Sequence, residues 1–166
     1  MSTLDISPSS NGRGSDAWSE PWTQLRVDRR SCGYCRVTFD HPPINTITAT
    51  TVAELTELVG LIEHDPDLNV VVFDSANPDV YLGDHDVEDD PGTAWPDLLV
   101  RLSRAPVVSI ASIRGRARGA GSEFILACDM RLAQLDDEVE AIASRLARLD
   151  HDAIARAKSH ASHPHA

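Results

Sequence analysis

Ala105-Pro106-Val107-Val108-Ser109-Ile110-Ala111-Ser112-Ile113-Arg114-Gly115-Arg116-Ala117-Arg118-Gly119-Ala120-Gly121-Ser122-Glu123-Phe124-Ile125-Leu126-Ala127-Cys128-Asp129 decides how this chain folds. Pro106 breaks the helix before it, because proline has no N–H to give and its ring clashes with the preceding turn. Val107 to Ser112 is an apolar run of the kind found in strands buried on both faces. Arg114 to Gly121 is a loop of arginines and small residues. Ser122 to Ala127 reads as a helix, and Asp129 to Ala133 as a short strand. Strand, glycine-rich turn, helix and strand in succession are the repeating unit of an α/β fold.

The same alternation runs outward from this stretch. Thr93 to Arg104 predicts a helix with Trp95, Leu98, Leu99 and Leu102 inward, preceded by a long acidic loop. Asn69 to Asp74 is a second continuous apolar run and predicts a buried parallel strand. Thr50 to His64 places Val52, Leu55, Leu58, Val59 and Ile62 on one helical face, and Asp65-Pro66-Asp67 ends it. Leu25 to Arg29 and Tyr34 to Phe39 are short strands about a turn at Ser31-Cys32-Gly33. Toward the C-terminus, Leu135, Val139, Ile142, Leu146 and Leu149 repeat at 4-3-4-3 spacing, an amphipathic helix, and a shorter helix starts at Asp150. The expected units are a disordered lead-in over 1–24, an α/β core over 25–133, C-terminal helices over 134–160 and a flexible tail over 161–166.

Bulk properties narrow the function classes. The 166 residues are one domain's worth, and 42% apolar content supports a core. A net charge of −11 argues against nonspecific nucleic-acid binding, which works by neutralising phosphates. No apolar run approaches the ~18 residues of a membrane span, and no signal peptide is visible, so a cytoplasmic protein without membrane partners is expected. Three cysteines do not make a disulfide framework. Cys32-Gly33-Tyr34-Cys35 lacks a second ligand pair and reads as turn and strand residues, with Cys128 a small core residue.

Three segments carry a resemblance. Phe39-Asp40-His41-Pro42-Pro43-Ile44-Asn45, Asn77-Pro78-Asp79-Val80-Tyr81-Leu82-Gly83-Asp84-His85-Asp86-Val87 and the stretch from Ala105 to Asp129 resemble, in order and spacing, the "hxxPxxN", "FxAGxD" and "kPviAavxGxaxGgGxElalacD" patterns of the crotonase superfamily (enoyl-CoA hydratase/isomerase family). The resemblance covers about residues 25 to 133. It implies a truncated crotonase-type ββα spiral followed by C-terminal helices. It also implies an acyl-CoA thioester as substrate, no further cofactor, no metal, and a homo-oligomer. Such enzymes stabilise an enolate-like oxyanion with two backbone N–H groups. By resemblance these belong to Gly83 and Ala120, with Glu123 as acid/base, and Gly119 and Gly121 allow the backbone to approach the substrate. Arg114, Arg116 and Arg118 stand either as contacts for CoA phosphates or as solvated surface charge.

The chain departs from the pattern twice. Asp84 replaces a glycine and His85 a small residue, and five of the seven residues from Asp84 to Asp90 are acidic. A carboxylate there repels an enolate or a phosphate. Asp84-His85-Asp86 has the residue types of a metal site, but one loop with mixed ligands reads better as solvated. Second, the family segment bearing another catalytic glutamate is missing: the chain runs from Ala133/Gln134 straight into helices. Glu138 and Glu140, the nearest carboxylates, read as solvated charges. Loss of several layers is expected to leave apolar faces that need a partner, and the 135–149 face is the candidate for pairing with a second copy. The functional readings are thus an acyl-CoA enzyme, a non-catalytic oligomerising relative, or a metal-binding module using the terminal histidines.

Overall fold

The computed structural model describes residues 17–19, 21–133 and 136–161. The lead-in over 1–16, Gln134, Leu135 and the tail from 162 lie outside the described residues.

The main sheet has five strands in the order β1 (Leu25–Ser31), β2 (Tyr34–Phe39), β3 (Val70–Ser75), β5 (Val108–Ile113) and β7 (Met130–Ala133). β1 and β2 pair antiparallel across the Cys32-Gly33 turn, and all later pairs are parallel. Parallel neighbours need crossovers. α1 (Ala49–His64) links β2 to β3, α2 (Ala94–Arg104) precedes β5, and α3 (Ala120–Ala127) precedes β7. Two short strands, β4 (Val80–Leu82) and β6 (Arg116–Ala117), form a separate parallel pair inside segments that the sequence presented as loops. α4 (Asp136–Leu146) and α5 (His151–Ala161) close the chain.

Local chemistry sets the element ends. Thr48 caps α1 by accepting from the Thr51 N–H at 3.2 Å, and the Thr51 hydroxyl accepts the Thr48 N–H at 3.0 Å, a reciprocal capping box. Leu55, Leu58 and Ile62 are fully buried by that helix. Gly33 sits where a Cβ would collide with the Ala147 carbonyl, so the hairpin turn has room only for glycine.

Residues 17–19 and 21–24 belong to the fold although their composition placed them in the lead-in. Ala17–Ser19 forms one 3-10 turn, Arg29 stacks over the Trp18 ring at 4.7 Å, and the Thr23 and Gln24 N–H groups donate to Glu54.

The run Val70-Val71-Val72-Phe73 is fully buried because both sheet faces are covered. Val71 and Phe73 join the larger core under α1, α2 and α3, with Phe39, Tyr81 and Phe124. Val70 and Val72 face the other way, with Tyr34, Ile110, Val139 and Ala143. That second cover is α4. The described part of the apolar face expected to seek another copy is therefore used inside the chain: Val139, Ile142 and Leu146 lie on the sheet, and of its described residues Leu149 is left exposed. Glu140, expected as a solvated charge, is half-exposed and engaged within the chain. It accepts the Tyr34 hydroxyl at 2.9 Å and pairs with Arg36 at 3.2 Å. Glu138 is exposed, as expected. The α4–α5 connection is tied down by Asn69, whose side chain donates to the Ala147 and Leu149 carbonyls. Lys158 on α5 donates to the Val107 carbonyl at 2.7 Å and pairs with Asp129 at 2.8 Å.

Candidate functional site

Two loops meet at the start of α3. The first runs from Gly83 to Asp86 after β4, and the second from Arg114 to Gly119 through β6. Asn45 holds the first in place. Its backbone is in the left-handed region at φ 51°, which asparagine tolerates better than most residues. Its buried amide donates to the Ser75 hydroxyl at 2.9 Å and the Tyr81 carbonyl at 3.2 Å, while its carbonyl oxygen accepts the His41 N–H. Ile47 then pairs with the loop through its N–H to the Asp84 carbonyl and its carbonyl to the Asp86 N–H.

This pairing decides which amides remain available. The Gly83 N–H donates to the Asn45 carbonyl at 2.9 Å, so Gly83 is not the donor that the resemblance implied. The amide aimed at the gap between the loops belongs to His85. It and the Ala120 N–H both donate to one oxygen, Asp84 Oδ1, at 2.9 Å and 3.2 Å. Two N–H groups converging on a single oxygen at the first turn of a helix have the geometry that suits an anionic or partly charged oxygen. The Ala120 and His85 amides hold the Asp84 carboxyl below the usual carboxylate range.

The glycines divide. Gly119 caps α3 at φ 50°, and the Asp84 carboxylate lies in the space that a side chain at 119 would take. Gly121 is buried where a Cβ would strike the Leu82 carbonyl, so it serves the packing of α3 on β4. Glu123 is exposed in the first turn of α3 and accepts the Trp95 indole N–H at 3.0 Å. The His85 ring stands edge-on to Trp95 at 5.2 Å, and its Nδ1 is buried without a hydrogen-bond partner among the described residues. The sequence marks neither Trp95 nor His85 as part of an amide site. The only sequence signals were an inward position on α2 and a departure from the family pattern.

The arginines also divide. Arg114 forms an ion pair with Asp136 at the start of α4 and is engaged away from the amides. Arg116 and Arg118 line an open cavity of about 420 Å³ together with Asp84, Ile44, Val80 and Leu82. A larger cavity of about 890 Å³ lies between the β1–β2 turn and the end of α1 and includes none of these residues. Asp84, His85 and Asp86 diverge rather than converge: Asp84 turns to the amides, the His85 ring to Trp95, and Asp86 Oδ1 accepts the Glu88 N–H. Among the described residues no cluster of three His, Cys, Asp or Glu side chains could hold a metal, and no helix is long and apolar enough to cross a membrane.

A family model described as enoyl-CoA hydratase/isomerase matches residues 29–146. Among solved structures, a Streptomyces avermitilis protein assigned as an enoyl-CoA hydratase is 26% identical with a TM-score of 0.79, over 85% of this chain and 78% of that one. DspI of Pseudomonas aeruginosa is 28% identical with a TM-score of 0.61, over 66% of this chain and 45% of its own. The human mitochondrial delta3-delta2-enoyl-CoA isomerase, at 23% identity and a TM-score of 0.60 over 66% of this chain and 46% of its own, shares the fold. The chain thus spans under half the length of the last two.

Proposed function

We propose, on the premise that this chain belongs to the enoyl-CoA hydratase/isomerase family, that it binds an acyl-CoA thioester at the amides of His85 and Ala120. The observation that carries the reading is their convergence on one oxygen beside the N-terminus of α3. A thioester carbonyl taking the place of that oxygen would accept both N–H groups. Charge developing on it as the α-carbon loses a proton would be stabilised by donors already fixed in place, without reorganisation. Glu123, in the first turn of α3 and oriented by Trp95, is the acid/base group within the same short stretch. Arg116 and Arg118 supply positive charge along the adjoining cavity for the anionic CoA moiety. One such carboxylate suits a proton shift along the acyl chain better than hydration, which needs two groups acting on water.

The test is calorimetric titration with butyryl-CoA, with free CoA as control, followed by a proton-exchange or isomerisation assay. Proline is tolerated at the first helical position, where Ala120 stands, because that N–H has no intrahelical acceptor. Ala120→Pro is therefore expected to keep the fold while lowering turnover roughly 10²- to 10³-fold. Glu123→Gln is expected to abolish turnover and leave thioester binding in place. A folded wild-type chain that does not distinguish the thioester from free CoA would remove the proposal.

A further inference from the structure

We infer that Asp84 is a built-in occupant of the anion pocket: a ligand oxygen enters only by displacing the chain's own carboxylate, which makes residue 84 the determinant of what the site accepts. The contact is specific. One oxygen of Asp84 takes both N–H groups of the pocket, and the carboxylate lies against Gly119, where any side chain would exclude it. Asp84 is otherwise exposed and its backbone is held on the far side by Ile47, so the side chain is free to rotate without moving the loop. A destination exists. Arg116 and Arg118 line the same cavity and form no ion pair among the described residues, so a displaced carboxylate can turn to a guanidinium.

The consequence is a selectivity rule. A neutral carbonyl oxygen competes poorly against an ionised carboxylate for two N–H donors, since charged acceptors make the stronger hydrogen bonds. Weakly held thioesters are excluded, and entry is restricted to ligands whose remaining contacts, such as CoA phosphates on Arg116 and Arg118, offset the displacement. Apparent affinity is lowered by the fraction of time the pocket is self-occupied. The identity of the displacing ligand rests on the acyl-CoA reading; the self-occupancy does not.

The experiment separates the two. In ¹⁵N-labelled full-length chain without ligand, the His85 and Ala120 amide resonances are compared among wild type, Asp84→Asn and Asp84→Ala. Asparagine keeps an accepting oxygen without charge; alanine removes it. Both resonances are expected to move stepwise upfield, furthest in Asp84→Ala. Butyryl-CoA is then expected to bind about ten- to a hundredfold more tightly to Asp84→Ala than to wild type, with Asp84→Asn between, and free CoA to gain much less. Unmoved amides would overturn the self-occupancy. Equal gains for Asn and Ala, matched by free CoA, would mean that only charge repulsion had been relieved and would overturn the gating. Amides that move while no protein binds butyryl-CoA would uphold the self-occupied pocket and remove the acyl-CoA reading.

Discussion

The two faces of the central sheet are sealed by different means. On one face the covering helices α1, α2 and α3 come from the crossovers between successive strands, and the seal is apolar. Phe124 sits at its centre, 5.0 Å from Phe73, 5.3 Å from Phe39 and 6.2 Å from Trp95 between ring centroids. On the other face a single helix, α4, follows the edge strand β7 closely, and no further strand comes after it. Its apolar contact is small, and polar contacts fix its position: Tyr34 and Arg36 to Glu140, Arg114 to Asp136, and Asn69 to the turn after the helix. A helix delivered by a crossover has its place set by the connection. One with a strand of the sheet before it and none after it is held at one end only, and directional contacts choose its register.

Breaking the first seal is expected to cost most. Phe124→Ala removes an aromatic side chain with no exposed surface and leaves a cavity, so a loss of about 3–5 kcal/mol is expected in urea unfolding. Because Phe124 follows Glu123 on α3 and packs on Trp95, the loss should reach the site. The Ala120 amide should lose its hydrogen-exchange protection together with the core. If the site amide stayed protected while global stability fell, the apolar face would not be what positions the pocket.

The apolar face was legible in the sequence because its residues alternate locally. The spacing of Leu55, Leu58 and Ile62 marked an inward helical face, and the runs at 70–73 and 108–111 marked strands buried on both sides. What covered the second side was not legible. The periodicity of Val139, Ile142 and Leu146 identifies an apolar helix face but not whether its partner is this sheet or a second copy. That depends on Glu140 meeting Tyr34 and Arg36, residues over a hundred positions away. The pocket was half legible. Ala120 follows from the Gly-rich turn into a helix, but the amide that joins it at Asp84 is that of His85 and not of Gly83, because the Gly83 N–H is taken by Asn45. The charge at position 84 predicts repulsion of a ligand; its own capture by the amides is a matter of side-chain geometry that no spacing encodes.

Breaking the second seal is expected to cost less. Glu140 is partly exposed, so water compensates much of what its partners lose. Glu140→Ala should lower stability by about 1 kcal/mol, read as a shift of the urea midpoint at constant slope. The sharper readout is location. Amides of α4 should exchange faster while those of α3 do not. Loss of protection on both faces alike would mean that the two seals are one cooperative unit and that the comparison between them has no energetic content.

The smallest effect is the pH dependence of the same clasp. Burial, and then the hydrogen bond to Glu140, push the Tyr34 hydroxyl up to about 12, above the 10.0 of an unperturbed tyrosine. In the unfolded chain the hydroxyl ionises near its ordinary value, so between pH 10 and 12 the folded state holds a proton that the unfolded state has released. The stability that Tyr34 contributes is complete below pH 10 and is lost as pH rises through 12. Tyr34→Phe cannot ionise there. It should be slightly less stable than wild type at pH 8, having lost its bond to Glu140, and should lose less stability between pH 10 and 12, so that the two unfolding curves converge. Cys35, also pushed up to about 12 by burial, is common to both proteins and cancels in the difference. Parallel decline of the two proteins would show that Tyr34 is solvated on this face, and would leave Arg36 and Asn69 as the contacts that set the register of α4.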